Sequence, residues 1–244
     1  MTAVWAHRGA SAYAPENTME AFRLAQKMGA DGIELDVHLT RDGEILVTHD
    51  ENVRRVTGVD AQVSSLTLAQ AQALDACNGM EAYRGARLPA LCEVLDFLKG
   101  NGMTLNIELK TGEVLYPGLE EKTVEMVHRF GLADRVLYSS FNHYSLVLVR
   151  KVDPQAKIGL LYSEAMVDPA LYAQHLRADA IHPEYRTLAV PGAVEGCKRA
   201  NVRIHPWTVN AESDMRALCG IPCEAIITNH PDIARRVVDE TRKA

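Results

Sequence analysis

The sequence predicts an α/β protein built from parallel strand–helix–strand units, and three observations carry that expectation. Short β-rich runs alternate with amphipathic helical stretches along the chain. The length of 244 residues is close to the about 250 typical of an eight-stranded α/β barrel. Several strand ends carry His, Glu or Asp, residues that are costly to bury and that fit a wet cleft better than a core. A doubly wound open sheet gives the same alternation, so the pattern alone leaves both arrangements open.

In chain order, Ala3–Ala6 reads as the first strand and runs into His7-Arg8-Gly9. After Pro15-Glu16, Asn17 is expected to cap a helix, with Glu20 three residues on, an apolar face of Met19, Phe22, Ala25 and Met28, and Gly29 as the stop. Gly32–His38 is the second strand. Its Glu34 and Asp36 leave one face while Leu35 and Val37 leave the other. Ile45–Thr48, which ends at His49-Asp50, is read as continuing this second strand region rather than adding a ninth barrel strand. A long connection from Asp50 to Arg87 follows, with a helix expected over Leu66–Leu74 and the polar run Asn52-Val53-Arg54-Arg55 placed to cap the mouth of a site. The next helix starts near Leu88-Pro89, with Leu91, Val94, Leu95 and Leu98 on one face before Gly100. The remaining strands are expected at Thr104–Glu108, Val136–Ser139, Lys157–Leu161, Ala180–His182, Val202–Trp207 and Ala225–Thr228, and Ile233, Val237 and Val238 mark a last helix. No repeat or linker divides the chain, so one domain over residues 1–244 is expected, with an insertion at about 51–87.

Hydrophobic content of 47% with 24% charged residues suits a globular core, and a net charge of -6 argues against a nucleic-acid or acidic-membrane surface. Met1–Ala6 lacks a signal-peptide pattern and no apolar stretch approaches the roughly 18 residues of a membrane helix, so a cytoplasmic location without stable membrane insertion is expected. The five cysteines are read as free structural thiols, which suits a reducing compartment. The oligomeric state is left open.

Chemistry gathers at the strand ends. Glu108 and Lys110 repeat the Glu34/Asp36 spacing, with Asn106 on the same face. If both strands belong to one barrel, their C-terminal ends converge and Glu34, Asp36 and Glu108 become three oxygen donors around one point. Hard carboxylates without Cys or an adjacent His suit one divalent cation, Mg²⁺ or Ca²⁺, better than Zn²⁺. His182 and His205 read as polar packing, and His128, His143 and His175 as solvent-facing residues on or beside helices.

These segments together resemble the glycerophosphodiester phosphodiesterase family. The matching stretches are His7-Arg8-Gly9, Pro15-Glu16-Asn17-Thr18, Gly29-Ala30-Asp31-Gly32-Ile33-Glu34-Leu35-Asp36-Val37, Thr40-Arg41-Asp42-Gly43 and Val47-Thr48-His49-Asp50. Later come Leu88-Pro89-Ala90-Leu91, Asn106-Ile107-Glu108-Leu109-Lys110, Ser139-Ser140-Phe141, Trp207-Thr208-Val209-Asn210 and Ile226-Ile227-Thr228. The resemblance implies a TIM-type (β/α)8 barrel with a small insertion after the second strand region. It also implies His7 and His49 as the acid/base pair, Glu34, Asp36 and Glu108 as metal ligands, and Arg8 and Lys110 near the phosphate. Three positions depart from the family's pattern: Val56 stands where Thr is common, and Asn142 and Asn229 stand where Asp is common. These departures bear on headgroup contacts rather than on the reaction.

The expected reaction is metal-dependent hydrolysis of a small-molecule glycerophosphodiester to glycerol 3-phosphate and an alcohol. A divalent ion with Arg8 and Lys110 would neutralise the phosphate, while one histidine activates a water or the glycerol 2-hydroxyl and the other protonates the leaving alcohol. Phe141 and Trp207, at strand ends, are candidates for an apolar wall against the glycerol carbons. Asn17 is a candidate phosphate ligand as well as a cap. Two alternatives stand beside this reading: a related phospholipase-D-like barrel that forms a cyclic phosphate, and a phosphate-ligand binding protein that has lost catalysis. A metal amidohydrolase would need His-x-His where the chain has His7-Arg8-Gly9.

Overall fold

The computed structural model describes residues 2–242. Nine strands form one sheet: β1 (Ala3–His7), β2 (Gly32–Leu39), β3 (Ile45–Val47), β4 (Thr104–Leu109), β5 (Val136–Ser140), β6 (Lys157–Tyr162), β7 (Ala180–Pro183), β8 (Arg203–Ile204) and β9 (Ala225–Thr228). Eight of them pair in parallel in the order β8-β7-β6-β5-β4-β2-β1-β9. The two ends of this path also meet. Glu224 N donates to Ile204 O (3.1 Å), Ile227 N to Pro206 O (3.0 Å), and Val209 N to Ile227 O (2.9 Å). The sheet is therefore an eight-stranded barrel, and the open doubly wound alternative is excluded. β3 pairs antiparallel with β2, folding back on it outside the barrel path.

The core lies between the barrel and its helices. Leu35 and Val37 of β2 pack into the same apolar cluster as Phe22 of helix Met19–Lys27 and Leu91, Val94, Leu95 and Leu98 of helix Leu91–Lys99. The period of two in the strand thus sends leucine and valine outward and the carboxylates inward. The insertion has its own small cluster, in which Val53, Val56, Val63, Ala71 and Ala76 pack on Leu46 of β3 and on Leu88. Its helix is shorter than expected, Leu68–Gln72 instead of Leu66–Leu74, because Thr67 and Gln70 form a capping box that fixes the start. A short helical turn, Arg54–Thr57, precedes it.

Three local expectations are corrected and a fourth is refined. The first helix is capped by Thr18, whose hydroxyl accepts from Ala21 N, and Asn17 is freed for another task. The expected strand Val202–Trp207 narrows to Arg203–Ile204, since Pro183 and Pro206 each lack an amide donor, although Trp207 N still donates to Pro183 O (3.0 Å). His143 does not face solvent: its ring lies between Tyr172 OH (3.1 Å) and the Leu161 carbonyl (2.8 Å). His182 and His205 do pack in the interior, with His205 Nδ1 2.9 Å from His182 Nε2, yet His182 Nδ1 finds no partner. That pair fits only because Gly159 has no Cβ, which would overlap the His182 ring. Among the described residues no helix is long and apolar enough to cross a membrane.

Candidate active site

The site lies at the C-terminal ends of the strands, where such barrels carry their chemistry. Parallel register sets Glu34 beside Asn106 and Asp36 beside Glu108. Carboxylate oxygens of Glu34, Asp36 and Glu108 consequently lie within 4.8 Å of one another, and all three side chains are buried. His7, at the end of β1, lines the same pocket as Arg8, Glu34, His49, Phe141 and Trp207. Lys110, just past β4, reaches it through Glu108 (2.9 Å) and lies 4.0 Å from Asp36.

Arg8 sits in the left-handed region, with φ of 56°, which few arginines adopt. Two hydrogen bonds hold it there, both from its amide to Glu34, one to the carbonyl and one to the carboxylate (3.0 Å each). Gly9, with φ of 81°, completes the turn, and a Cβ on it would come within 2.7 Å of Ala21. The backbone of Arg8 and Gly9 is therefore fixed before the Arg8 side chain makes any contact. The Arg8 guanidinium then contacts Asp36 (3.3 Å) and Glu16 (2.9 Å).

The electrostatics separate the carboxylates. Burial pushes Glu34 well above the usual carboxylate range, helped by the negative charges of Asp36 and Glu108. Burial acts on Asp36 in the same sense, but Arg8, Lys110 and His49, with a hydrogen bond from Asn17, hold it well below that range. Glu108 is raised by burial against the pull of Lys110. Three carboxylates face two cations here, which leaves one negative charge in excess if all are ionised. A divalent cation would convert that excess into one positive charge, which matches a phosphodiester monoanion. Asp36 Oδ1 is buried without a hydrogen-bond partner, an unmet demand that a metal ion would satisfy. The donor set and the orphaned oxygen thus fit one hard divalent cation.

The imidazoles are held by different partners. His7 Nδ1 lies 2.7 Å from Asn229 Oδ1, which can only accept, so Nδ1 carries the proton and Nε2 keeps its lone pair. Burial, with Arg8 alongside, pushes His7 down to about 4. His49 Nδ1 donates to Asp50 (2.6 Å), and its Nε2 accepts from Lys110 Nζ (3.1 Å). One histidine is thus backed by a neutral amide and the other by a carboxylate.

Three residues at the site make contacts that sequence reasoning did not assign to them. Asn17 is 1% exposed and donates to Asp36 Oδ2 (2.8 Å), so it supports a carboxylate rather than a helix start. Asn229 contacts His7, and Asn210 Oδ1 anchors it by accepting from Asn229 N (3.0 Å). His38, at the end of β2, donates through Nε2 to the His49 carbonyl (3.0 Å) and fixes that backbone. The adjacent cap candidates Asn17 and Thr18 were the one available signal, since a helix start needs only one of them. Phe141 and Trp207 form an edge-to-face pair with centroids 5.5 Å apart, on the wall of the pocket.

The sequence profile described as the glycerophosphoryl diester phosphodiesterase family matches residues 7–233. A Caldanaerobacter subterraneus subsp. tengcongensis glycerophosphodiester phosphodiesterase is 44% identical over 95% of both chains. Among solved structures, an Oleispira antarctica phosphodiesterase in complex with the product sn-glycerol-3-phosphate has a TM-score of 0.86 and 30% identity, covering 98% of this chain and 97% of its own. An Agrobacterium tumefaciens glycerophosphodiester phosphodiesterase has a TM-score of 0.85 and 28% identity, with 97% of this chain and 100% of that one covered.

Proposed function

The chain belongs to the glycerophosphoryl diester phosphodiesterase family and is a phosphoric diester hydrolase, and from that premise we propose that it cleaves glycerophosphodiesters to sn-glycerol 3-phosphate and an alcohol by metal-assisted acid–base catalysis between His7 and His49. The observation that carries this reading is the convergence of three buried carboxylates with both imidazoles and two cations at one end of the barrel. Glu34, Asp36 and Glu108 would hold one divalent cation, Mg²⁺ or Ca²⁺. When bound, that cation would supply Lewis-acid stabilisation of the phosphoryl oxygens. The product named for the Oleispira antarctica relative supports sn-glycerol 3-phosphate as the product here.

The chain's own residues divide the remaining work. Arg8 and Lys110 bind the non-bridging phosphate oxygens and offset the charge that builds there. His7, with Nε2 unprotonated and only an amide at Nδ1, takes the proton of the attacking hydroxyl, that of water or of the glycerol 2-position; in the second case a cyclic phosphate forms and water then opens it to glycerol 3-phosphate with the two histidines exchanging roles. We assign the proton donor for the departing alkoxide to His49: once Lys110 turns from His49 Nε2 (3.1 Å) to the phosphate, that nitrogen can carry a proton, and the Asp50 carboxylate at Nδ1 balances the imidazolium. Phe141 and Trp207 shield the glycerol carbons from water. We place the reaction in the cytoplasm, in keeping with five free cysteines.

The test is release of glycerol 3-phosphate from glycerophosphocholine by the purified protein, in EDTA and after addition of Mg²⁺ or Ca²⁺, beside His49→Ala. Product that requires metal and is lost in the variant supports the reading. A folded protein that binds metal and releases no product from any glycerophosphodiester overturns it.

A further inference from the structure

The insertion reaches the site through the Arg55 side chain. Its Nε and Nη2 contact the two oxygens of Asp50 (2.7 and 3.3 Å), and its Nη1 and Nη2 contact the two oxygens of Glu16 (2.7 and 2.8 Å). Asp50 in turn holds His49 Nδ1 (2.6 Å), and Glu16 holds Arg8 Nη1 (2.9 Å). An unbroken chain of charged contacts therefore runs from His49 through Asp50, Arg55, Glu16 and Arg8 to Asp36. We propose that Arg55 is a positioning residue for the phosphodiester reaction, an inference that rests on the proposed function: it clamps the partner of His49 and the partner of Arg8 at once, and so orients the proton donor and a phosphate-binding guanidinium together.

The residue type fits this task. Only the planar fork of arginine can hold two carboxylates side by side in bidentate fashion, and a lysine would hold one at a time. The fork is also well anchored, because Val53 and Val56, on either side of it in sequence, are buried in the insertion's core against Leu46, three residues before His49. A purely structural reading asks little of these contacts. The Arg55 side chain is 43% exposed, and ion pairs so open to water add little to stability. The two readings separate on catalysis against stability.

The experiment compares Arg55→Ala and Arg55→Lys with Arg54→Ala, a neighbour whose ion pair with Asp60 faces solvent. Steady-state kinetics use glycerophosphocholine, and folding is followed by urea unfolding. Protein labelled with ¹⁵N at histidine reports the His49 imidazole directly. Both Arg55 variants are expected to lose about 10–100-fold in kcat and to raise KM several-fold, with urea midpoints near that of the unaltered protein. Arg54→Ala is expected to match the unaltered protein. Asp50→Asn should lower kcat and Glu16→Gln should raise KM, and Arg55→Ala combined with Asp50→Asn should be no slower than Asp50→Asn alone. Methylguanidinium should restore part of the Arg55→Ala rate. The His49 Nδ1–H resonance should move in Arg55→Ala while that of His7 stays.

Unaltered kcat and KM together with an unmoved His49 resonance would overturn the proposal, as would losses in kcat that multiply in the double variant. If Arg55→Ala fails to fold, Arg55→Lys decides by the same readouts. If the unaltered protein turns over no glycerophosphodiester, the proposed function fails, and the His49 resonance still decides whether Arg55 positions that ring.

Discussion

Replacing Glu34 by Gln removes one charge from the carboxylate cluster while keeping an oxygen to accept the Arg8 amide. Two unit charges no more than 4.8 Å apart repel by at least about 3.5 kcal/mol at an effective dielectric constant of about 20. Glu34 faces two such neighbours, Asp36 and Glu108, and Arg8 offsets roughly one of them, so about 3 kcal/mol of repulsion is left. Folding raises the Glu34 pKa above its ordinary 4.5, so the folded state holds this proton more tightly than the unfolded state does. Its stabilising contribution is complete below 4.5 and is lost as pH rises toward the folded value. In EDTA at pH 8, Glu34→Gln should therefore be more stable than the unaltered protein by about 3 kcal/mol, and the gap should close as pH falls toward 4.5. Adding Mg²⁺ or Ca²⁺ at about 100 times its Kd should restore about 2.7 kcal/mol to the unaltered protein and much less to the variant. Urea unfolding followed by tryptophan fluorescence measures both. A variant less stable than the unaltered protein in EDTA, with an undiminished response to metal, would refute the cluster as a cation site.

Other perturbations test other parts of the account. Asn17→Ala strips a buried hydrogen bond from Asp36 and should cost about 1.5–3 kcal/mol and weaken metal binding, seen by calorimetric titration; metal affinity and stability equal to the unaltered protein would argue against that support. His205 is pushed from 6.5 down to about 3 by burial and by Arg203. Its contribution to stability is whole above 6.5 and falls with acidification, by about 2 kcal/mol at pH 5. His205→Gln should flatten the pH dependence of the urea midpoint between pH 7 and 5, and an unchanged slope would count against it. Phe141→Ala should raise KM several-fold with kcat nearly kept, the mark of lost uniform binding, and a fall in kcat alone would contradict the wall. Because the insertion's core includes Leu46 of β3, the chain should unfold in a single transition, with fluorescence and far-UV circular dichroism superimposing.

How much of this was legible in the sequence depended on distance along the chain. A strand's period of two is enough to place Glu34 with Asp36 and Glu108 with Lys110, and a parallel barrel brings the two pairs into register. Alternation and length pointed to parallel strand–helix units but left the barrel and the open sheet both possible; the barrel was what the family resemblance implied, and the contacts that close it, Glu224 to Ile204 and Ile227 to Pro206, have no local signature. Asn17 and Thr18 were ambiguous because both are good caps, and the choice between them is made by Asp36, 19 residues away. Contacts made over longer separations left no local pattern: His7 meets Asn229 across 222 residues, and Arg55 meets Glu16 across 39. His38 looked like any strand end, and its hold on the His49 carbonyl comes from β3 folding back on β2. β8 shortened for a reason visible in sequence, the two prolines, whose effect depends on which neighbouring strand each faces.

The division of labour between the two histidines is the centre of the account, and leaving-group dependence tests it most directly. Hydrolysis of glycerophosphocholine and of glycerophospho-p-nitrophenol would be compared for the unaltered protein, His7→Ala and His49→Ala. Both variants should lose roughly 10²–10⁴-fold on the choline ester. The nitrophenolate departs without a proton, so His49→Ala should recover most of its rate on that substrate while His7→Ala should stay impaired. Equal losses for both variants on both substrates would contradict His49 as the proton donor and His7 as the base.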